Sequence, residues 1–140
     1  MIPKLGVHAP IVVVGVLANG EMGVPNGPDE VAWYGDGTVP GLPGNALLGG
    51  HLDWGTRGAI FWRLRDLRQD DRIQIEGGDG NISTFAVTRS NVYAVDGAPV
   101  DDIFADRPEP TITLITCEGV FDRATRNYSH RRVVTASLVP

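Results

Sequence analysis

The sequence predicts a mainly β-class domain whose short strands close, or nearly close, into a barrel with one or two short helices. Eighteen glycines and ten prolines are scattered over 140 residues without a period, which favours tight turns over long helices. Short runs rich in β-branched and aromatic residues lie between these turn signals at close spacing. Many short strands at such spacing are typical of barrels.

The N-terminal third predicts three strands and one helical turn. Residues 2–7 are expected to form an edge strand, since proline is tolerated at a strand's start or at a sheet edge. Residues 11–16 form an apolar run typical of a strand buried on both faces. Asn-Gly within residues 18–21 favours a hairpin with a returning strand at 22–25. Residues 29–34 begin with two acids, which favours a helical turn.

The rest of the chain is predicted mostly as strands. Apolar residues at helical spacing indicate one short helix in residues 59–67. A second helical turn is expected near residues 101–104, within a loop. The predicted strands are 45–51, 71–76, 82–95 with a bend at 89–91, 111–117 and 131–139, with loops at 77–81, 97–110 and 118–130.

Cys117 is the only cysteine, so the chain has no internal disulfide. The β-branched run before it predicts a strand, and Glu118-Gly119 is expected to break that strand. The thiol would then lie at a strand tip, where a rigid scaffold can present it to a cleft. The alternative is that Cys117 is simply a small buried hydrophobic residue.

His51 is the candidate partner base for this thiol. It ends an apolar strand and opens a glycine-flanked loop, so it can meet Cys117 across a barrel rim. Such a partner is needed because the thiolate, and not the thiol, is the nucleophile. The alternative is a structural histidine held by hydrogen bonds. Of the other two histidines, His8 is expected at the surface and His130 could be either.

Three arginines could stabilise the oxyanion that forms when a thiolate attacks a carbonyl. Arg131 and Arg132 open the last predicted strand, where alternation allows only one of them to face the thiol. Arg123 lies in the loop after Cys117. The alternative is that all three are surface charges.

Composition excludes several other classes of function. A net charge of −5 argues against a nucleic-acid partner, which would require a basic face. The chain has no apolar stretch of membrane-spanning length and no signal peptide at its start. His51 and Asp53 have a spacing that could hold a metal, but no third ligand follows, so we predict no metal and no other cofactor.

Residues 113–117, Thr-Leu-Ile-Thr-Cys, resemble the TLxTC signature of the sortases, which are cysteine transpeptidases. Gly49-Gly50-His51 followed by Asp53 is similar to the segment that carries the catalytic histidine of that family. Residues 2–11 look like its opening, and residues 121–123 with Tyr128 most resemble class F. The resemblance covers nearly the whole chain.

This resemblance implies an eight-stranded β-barrel in which residues 1–140 form one catalytic domain. Cys117 would attack the Thr–Gly bond of an Leu-Pro-x-Thr-Gly-like sorting signal and form a thioacyl-enzyme intermediate. His51 would act as general acid and then as base, and Thr116 would contact substrate. The family's spacing favours Arg131 as the catalytic arginine, while Arg123 remains the alternative and a candidate substrate-binding residue.

The resemblance also implies partners and a location. The partners would be sorting-signal peptides of surface proteins and an amine acceptor on a peptidoglycan precursor or a protein. The expected setting is a monomer on the extracellular side of a bacterial membrane, anchored by an N-terminal segment outside this chain. Two alternatives remain open: a hydrolytic cysteine peptidase, and a catalytically silent peptide-binding barrel. The second is motivated by Glu118, because a carboxylate beside a thiol raises its pKa.

Overall fold

The structure, a computed structural model, describes residues 1–15, 25, 27–35, 38–95, 97, 103, 105, 107–124 and 127–140. Of residues 118–120, 122 and 127 only the backbone is described. The strands are β1 Ile11–Val14, β2 Val31–Tyr34, β3 Gly44–Gly49, β4 Asp53–Trp54, β5 Arg57–Gly58, β6 Arg72–Glu76, β7 Ile82–Ala94, β8 Pro110–Asp122 and β9 Asn127–Leu138. Two 3-10 turns span Pro3–Leu5 and Leu64–Asp66.

Seven strands form one curled sheet, a half-barrel, in the order β1-β2-β3-β8-β9-β7-β6. Strands β4 and β5 form a separate small hairpin. At the β6 edge, the amino group of Met1 donates to the carbonyl of Gln74 at 2.6 Å, and the N–H of Gln74 returns a bond to Met1 at 2.8 Å. The predicted mainly β class is confirmed, with seven strands in the main sheet.

Alternation along β8 and β9 decides which side chains enter the core. Ile112, Leu114, Val134 and Ala136 are buried in the apolar cluster. Side chains one position along a strand point to the opposite face. Because the pairing of β8 with β9 runs without a shift from Thr111 as far as Glu118, the odd-numbered residues of both strands share the outer face.

Two described residues, Ile103 and Ala105, lie against the outer face of β3 and β8 through their backbone carbonyls. The side-chain amide of Asn45 donates to the carbonyls of Ile103 and Ala105, both at 3.1 Å. Its amide oxygen accepts a hydrogen bond from the hydroxyl of Thr113 at 2.7 Å. This network satisfies polar groups that would otherwise cost free energy, and it ties Ile103 and Ala105 to the strand that carries Cys117.

Several predictions for the N-terminal part were wrong. Residues 2–7 contain the Pro3–Leu5 turn, and Gly6 adopts φ 68°, where glycine is favoured, and bonds back to Pro3. Residues 31–34 form β2 instead of a helical turn, because they pair with both β1 and β3. Strand β1 lies at the sheet edge and is not buried on both faces, with Val13 69% exposed. The predicted hairpin at 18–21 lies outside the described residues, as do most of the strand at 22–25 and of the turn at 101–104.

The C-terminal predictions are closer to the structure. Strand β6 and the long strand β7 are confirmed, and β7 has an irregularity between Val87 and Arg89, near the predicted bend. The short helix reduces to Leu64–Asp66. Glu118-Gly119 does not end the strand: β8 continues to Asp122 and pairs with β9, which begins at Asn127. Cys117 therefore lies within a long hairpin and not at a strand tip.

Candidate active site

Cys117 and Arg131 lie directly opposite each other on β8 and β9. Cross-strand partners have their side chains on the same face, so the arginine lies beside the half-buried thiol. The guanidinium Nη1 of Arg131 donates to the carbonyls of Tyr128 at 3.2 Å and His130 at 2.9 Å. These bonds hold the cation at the end of β9 that pairs with the Cys117 region.

His51 follows the end of β3, the strand that pairs with β8 on the side opposite to β9. Strands β3 and β8 run parallel, and their last paired residues are Gly49 and Ile115. The N–H of Gly50 donates to Ile115 at 3.2 Å, and the hydroxyl of Thr116 donates to the carbonyl of Gly50 at 2.8 Å. His51 and Cys117 each follow two residues after this last pair, so the two segments bring them to the same end of the sheet.

Gly50 allows the histidine segment to lie close to the core. A Cβ at this position would lie 2.7 Å from Cδ2 of Phe61 and 2.8 Å from Cγ2 of Ile60. The N–H of Phe61 also donates to the carbonyl of His51 at 3.1 Å. Because residue 50 has no side chain, residues 59–61 can pack against the backbone of the histidine segment.

The His51 ring is oriented by two contacts. Its Nε2 lies 2.8 Å from the carbonyl oxygen of Pro25, and the ring meets Trp54 edge-on with centroids 5.3 Å apart. A carbonyl only accepts hydrogen bonds, so this bond requires the proton on Nε2. Nδ1 is then the ring nitrogen that could exchange a proton with a reacting group.

Asp53 and Tyr128 join the histidine segment to β9. The hydroxyl of Tyr128 donates to Oδ2 of Asp53, and this hydrogen bond raises the pKa of Tyr128 to about 12. Tyr128 also packs against Phe121, with ring centroids 5.2 Å apart. We did not predict a role for this pair from the sequence, although the spacing of His51 and Asp53 was a signal that the region is polar.

The charges around Cys117 act in opposite directions. Burial is the largest effect and raises the pKa of the Cys117 thiol above its ordinary value. The guanidinium of Arg131 lowers this pKa, while the carboxylate of Asp53 raises it. Because the net direction is upward, the resting residue is a thiol at neutral pH, and nucleophilic attack by this sulfur would require a proton acceptor.

The sortase domain family matches residues 1–139 of the chain. This protein belongs to the sortase family. Its structure is similar to the lid mutant of sortase A from Corynebacterium diphtheriae, with a TM-score of 0.73, 24% identity, and coverage of 99% of this chain and 67% of that one. The fold of a Clostridium perfringens sortase D5 transpeptidase matches at TM-score 0.69 and 21% identity over 100% and 76% of the chains.

Sortase C-1 from Actinomyces oris gives a TM-score of 0.70 and 22% identity, covering 100% of this chain and 71% of that one. No curated protein sequence matches this sortase. The matched structures carry the designations A, C and D, and their identities establish a shared fold. The predicted resemblance to sortases is thereby confirmed at the level of the family.

The remaining predicted site residues lie apart from the Cys117–Arg131 pair. Arg132 follows Arg131 on β9, and its Nη1 lies 3.3 Å from the hydroxyl of Ser90. Arg123 is exposed just after β8. Thr116 is 4% exposed, and alternation places it on the face opposite Cys117. The side chain of Glu118 lies outside the described part of the structure.

Two further findings concern the described residues of this sortase as a whole. Among them, no three histidine, cysteine or acidic side chains are grouped so that they could hold a metal ion. None of the helical segments described is long and apolar enough to cross a membrane.

Proposed function

We propose that this sortase is a cysteine transpeptidase in which Cys117, His51 and Arg131 carry the chemistry. It would cleave the Thr–Gly bond of an Leu-Pro-x-Thr-Gly-like sorting signal and pass the acyl group to an amine. The observation that carries the proposal is the register of β8, which pairs Cys117 with Arg131 on β9 and brings the end of β3, with His51, to its other side.

In the first half-reaction Nδ1 of His51 takes the thiol proton of Cys117 as the sulfur attacks the threonine carbonyl, and the carbonyl oxygen becomes an oxyanion. Arg131 stabilises this charge, since a guanidinium stays protonated and offers several fixed donors. His51 gives the proton from Nδ1 to the departing glycine nitrogen, so the C–N bond breaks and a thioester remains. Pro25 holds the imidazole through Nε2 during this transfer.

In the second half-reaction an amine attacks the thioester carbonyl. His51 takes the proton that the attacking nitrogen loses, the new amide forms, and the thiolate of Cys117 leaves. Water in place of the amine would give hydrolysis. We propose an amine on a peptidoglycan precursor or a protein as the physiological acceptor.

Membership of class F is part of the proposal and is supported by residues 121–123 with Tyr128. We further propose that residues 1–140 act as one catalytic domain and as a monomer, with Arg123 in substrate binding. Thr116, which we expected to contact substrate, is instead buried on the opposite face and holds the carbonyl of Gly50. The expected place of action is the outer side of a bacterial membrane, where the sorting-signal peptides of surface proteins are presented. An N-terminal segment outside this chain would supply the anchor.

Incubation with an Leu-Pro-x-Thr-Gly peptide, with and without triglycine as the amine, tests the proposal. Mass spectrometry should detect a thioester adduct on Cys117 and, with triglycine, the ligated product. The Cys117→Ala variant should give neither. Hydrolysis that added amine does not divert would contradict transpeptidation and favour a peptidase. No adduct and no cleavage by a folded protein would favour a silent peptide-binding barrel.

A further inference from the structure

Tyr128, on β9, forms hydrogen bonds to two different parts of the candidate site. Its phenol donates to the carboxylate of Asp53, and its carbonyl accepts a hydrogen bond from Nη1 of Arg131 at 3.2 Å. Asp53 lies two residues after His51, while Arg131 is the cross-strand partner of Cys117. A single tyrosine thus bonds to the histidine segment and to the arginine.

The Asp53–Tyr128 bond is a long-range connection. The two residues are separated by 75 positions, and Asp53 belongs to the small β4–β5 hairpin, which is not part of the seven-stranded sheet. Near the site, the bond joins this hairpin to β9. Hydrogen bonds to a charged acceptor are shorter and stronger than neutral ones.

The tyrosine is held in place on the sheet side of this bond. Phe121 is its cross-strand partner on β8, and the two rings pack with centroids 5.2 Å apart. Since this pair lies just beyond the register shift that follows Glu118, the shift decides where the phenol points. The sheet therefore holds the phenol of Tyr128, the donor, in place, and the β4–β5 hairpin carries the carboxylate of Asp53, the acceptor.

We propose that Tyr128 is a positioning residue whose hydrogen bond to Asp53 holds the His51 segment at the correct place beside Cys117. We call this bond the Asp53–Tyr128 clasp. The inference rests on the proposed function, because it assigns the clasp a role in proton transfer by His51. Tyr128 does not touch the reacting atoms; it acts through Asp53.

The electrostatics of the clasp support this role. Its hydrogen bond raises the pKa of Tyr128 to about 12, so the phenol keeps its proton and remains a donor at any pH where the enzyme would work. The carboxylate of Asp53 raises the pKa of the Cys117 thiol. The carboxylate of Asp53 therefore disfavours the thiolate of Cys117. An electrostatic benefit to the nucleophile does not explain why Asp53 lies near the site.

Two variants separate the position of the histidine from the charge on the carboxylate. Tyr128→Phe removes the donor and leaves the charge. Asp53→Asn removes the charge but keeps an amide oxygen that can accept from the phenol. Thr88→Val is the control, since it also removes one hydroxyl that donates to β9, at the carbonyl of Thr135 (3.1 Å), and Thr88 is not part of the clasp.

The measurements are kcat and KM for peptide cleavage, and the pH dependence of Cys117 alkylation by iodoacetamide. Tyr128→Phe should lower kcat about tenfold or more and leave KM nearly unchanged, since one charge-assisted hydrogen bond is lost. Asp53→Asn should lower the pKa of Cys117 and reduce kcat less than Tyr128→Phe does. Thr88→Val should match the wild type in both assays.

Equal kcat values for Tyr128→Phe and Thr88→Val, with both proteins folded, would overturn the proposal. So would a fall in thermal stability that accounts for the whole loss of turnover in Tyr128→Phe. Alkylation needs no sorting peptide, so the effect of Asp53 on the thiol is measured even if no peptide is cleaved. If the wild type cleaves no peptide, the transpeptidase proposal fails; if the wild type cleaves and Tyr128→Phe cleaves equally well, only the clasp fails.

Discussion

Replacing Arg131 by alanine removes the cation that lies opposite Cys117 on the neighbouring strand. The substitution acts on two terms of the proposed mechanism. It deletes the donors offered to the oxyanion, and it deletes the positive charge that lowers the pKa of the thiol. Burial and Asp53 then act on Cys117 without this opposing charge, so the pKa of the thiol rises further.

The magnitude follows from the place of the guanidinium in the structure. Bonds of 3.2 Å and 2.9 Å to two backbone carbonyls orient Nη1, so the group is positioned before substrate binds. Removal of one preorganised oxyanion donor costs about 100- to 1,000-fold in kcat. We expect Arg131→Ala to lose about that factor, with a larger loss in kcat/KM below neutral pH, where fewer thiols are ionised.

Three variants make the assignment specific. Arg132→Ala removes the adjacent arginine on the opposite face of β9, and Arg123→Ala removes the exposed arginine after β8. Both should retain far more turnover than Arg131→Ala. Arg131→Lys keeps the charge but loses the planar fork of donors, so it should restore the pKa of the thiol more fully than it restores kcat.

Steady-state cleavage of a fluorogenic sorting peptide and alkylation of Cys117 across pH provide these values, with thermal unfolding as the check on folding. The assignment fails if Arg123→Ala loses as much turnover as expected for Arg131→Ala while Arg131→Ala remains active. It also fails if the alkylation curve of Arg131→Ala does not move to higher pH. In that case the cation opposite the thiol would not influence it.

Two further predictions concern the contacts that hold the histidine segment. Thr116→Val should destabilise the fold by about 1–3 kcal/mol, because the carbonyl of Gly50 loses the donor that reaches it at 2.8 Å from a threonine that is only 4% exposed. Thr88→Val removes a bond of 3.1 Å to the carbonyl of Thr135 but from an exposed threonine, and should cost less. Gly50→Ala should cost about 1–3 kcal/mol, because the new methyl group would lie 2.7 Å from the ring of Phe61. Gly78→Ala, with no atom within 4 Å of the added Cβ, is its control. Urea unfolding measures all four; equal losses in variant and control would contradict either prediction.

That only one of the two neighbouring arginines faces Cys117 could be predicted, because side chains along a strand alternate between the two faces of the sheet. Once residues 111–117 and 131–139 are recognised as neighbouring strands, alternation allows only one of Arg131 and Arg132 to face the thiol. The end of β8 could not be predicted in the same way. Glu118-Gly119 disfavours a strand locally, but pairing with β9 carries the strand to Asp122.

The region of residues 29–34 shows the same competition between local and long-range effects. Two acids at its start favour a helical turn, yet residues 31–34 pair with strands on both sides. The ladder satisfies their backbone groups and outweighs the weak local preference. A prediction from local signals alone therefore missed β2, the strand that connects β1 to β3, after which His51 follows.

The contacts that orient His51 could not be predicted from sequence. The carbonyl of Pro25 is 26 residues from His51, and Tyr128 is 75 residues from Asp53. A backbone carbonyl has no residue type to recognise, and no periodicity relates partners at such separations. These contacts follow from the topology, which becomes visible only when β3, β8 and β9 are placed side by side.

The position of the site follows from where β3 ends. Strand β8 pairs with β9 beyond Cys117, but its pairing with β3 stops at Ile115. Cys117 and Arg131 are thus fixed by a continuous ladder, whereas His51 lies just after the last β3 pair and takes its orientation from Pro25, Trp54 and the segment that Asp53 anchors. Changes in those contacts should therefore slow proton transfer while leaving the nucleophile and its arginine in register.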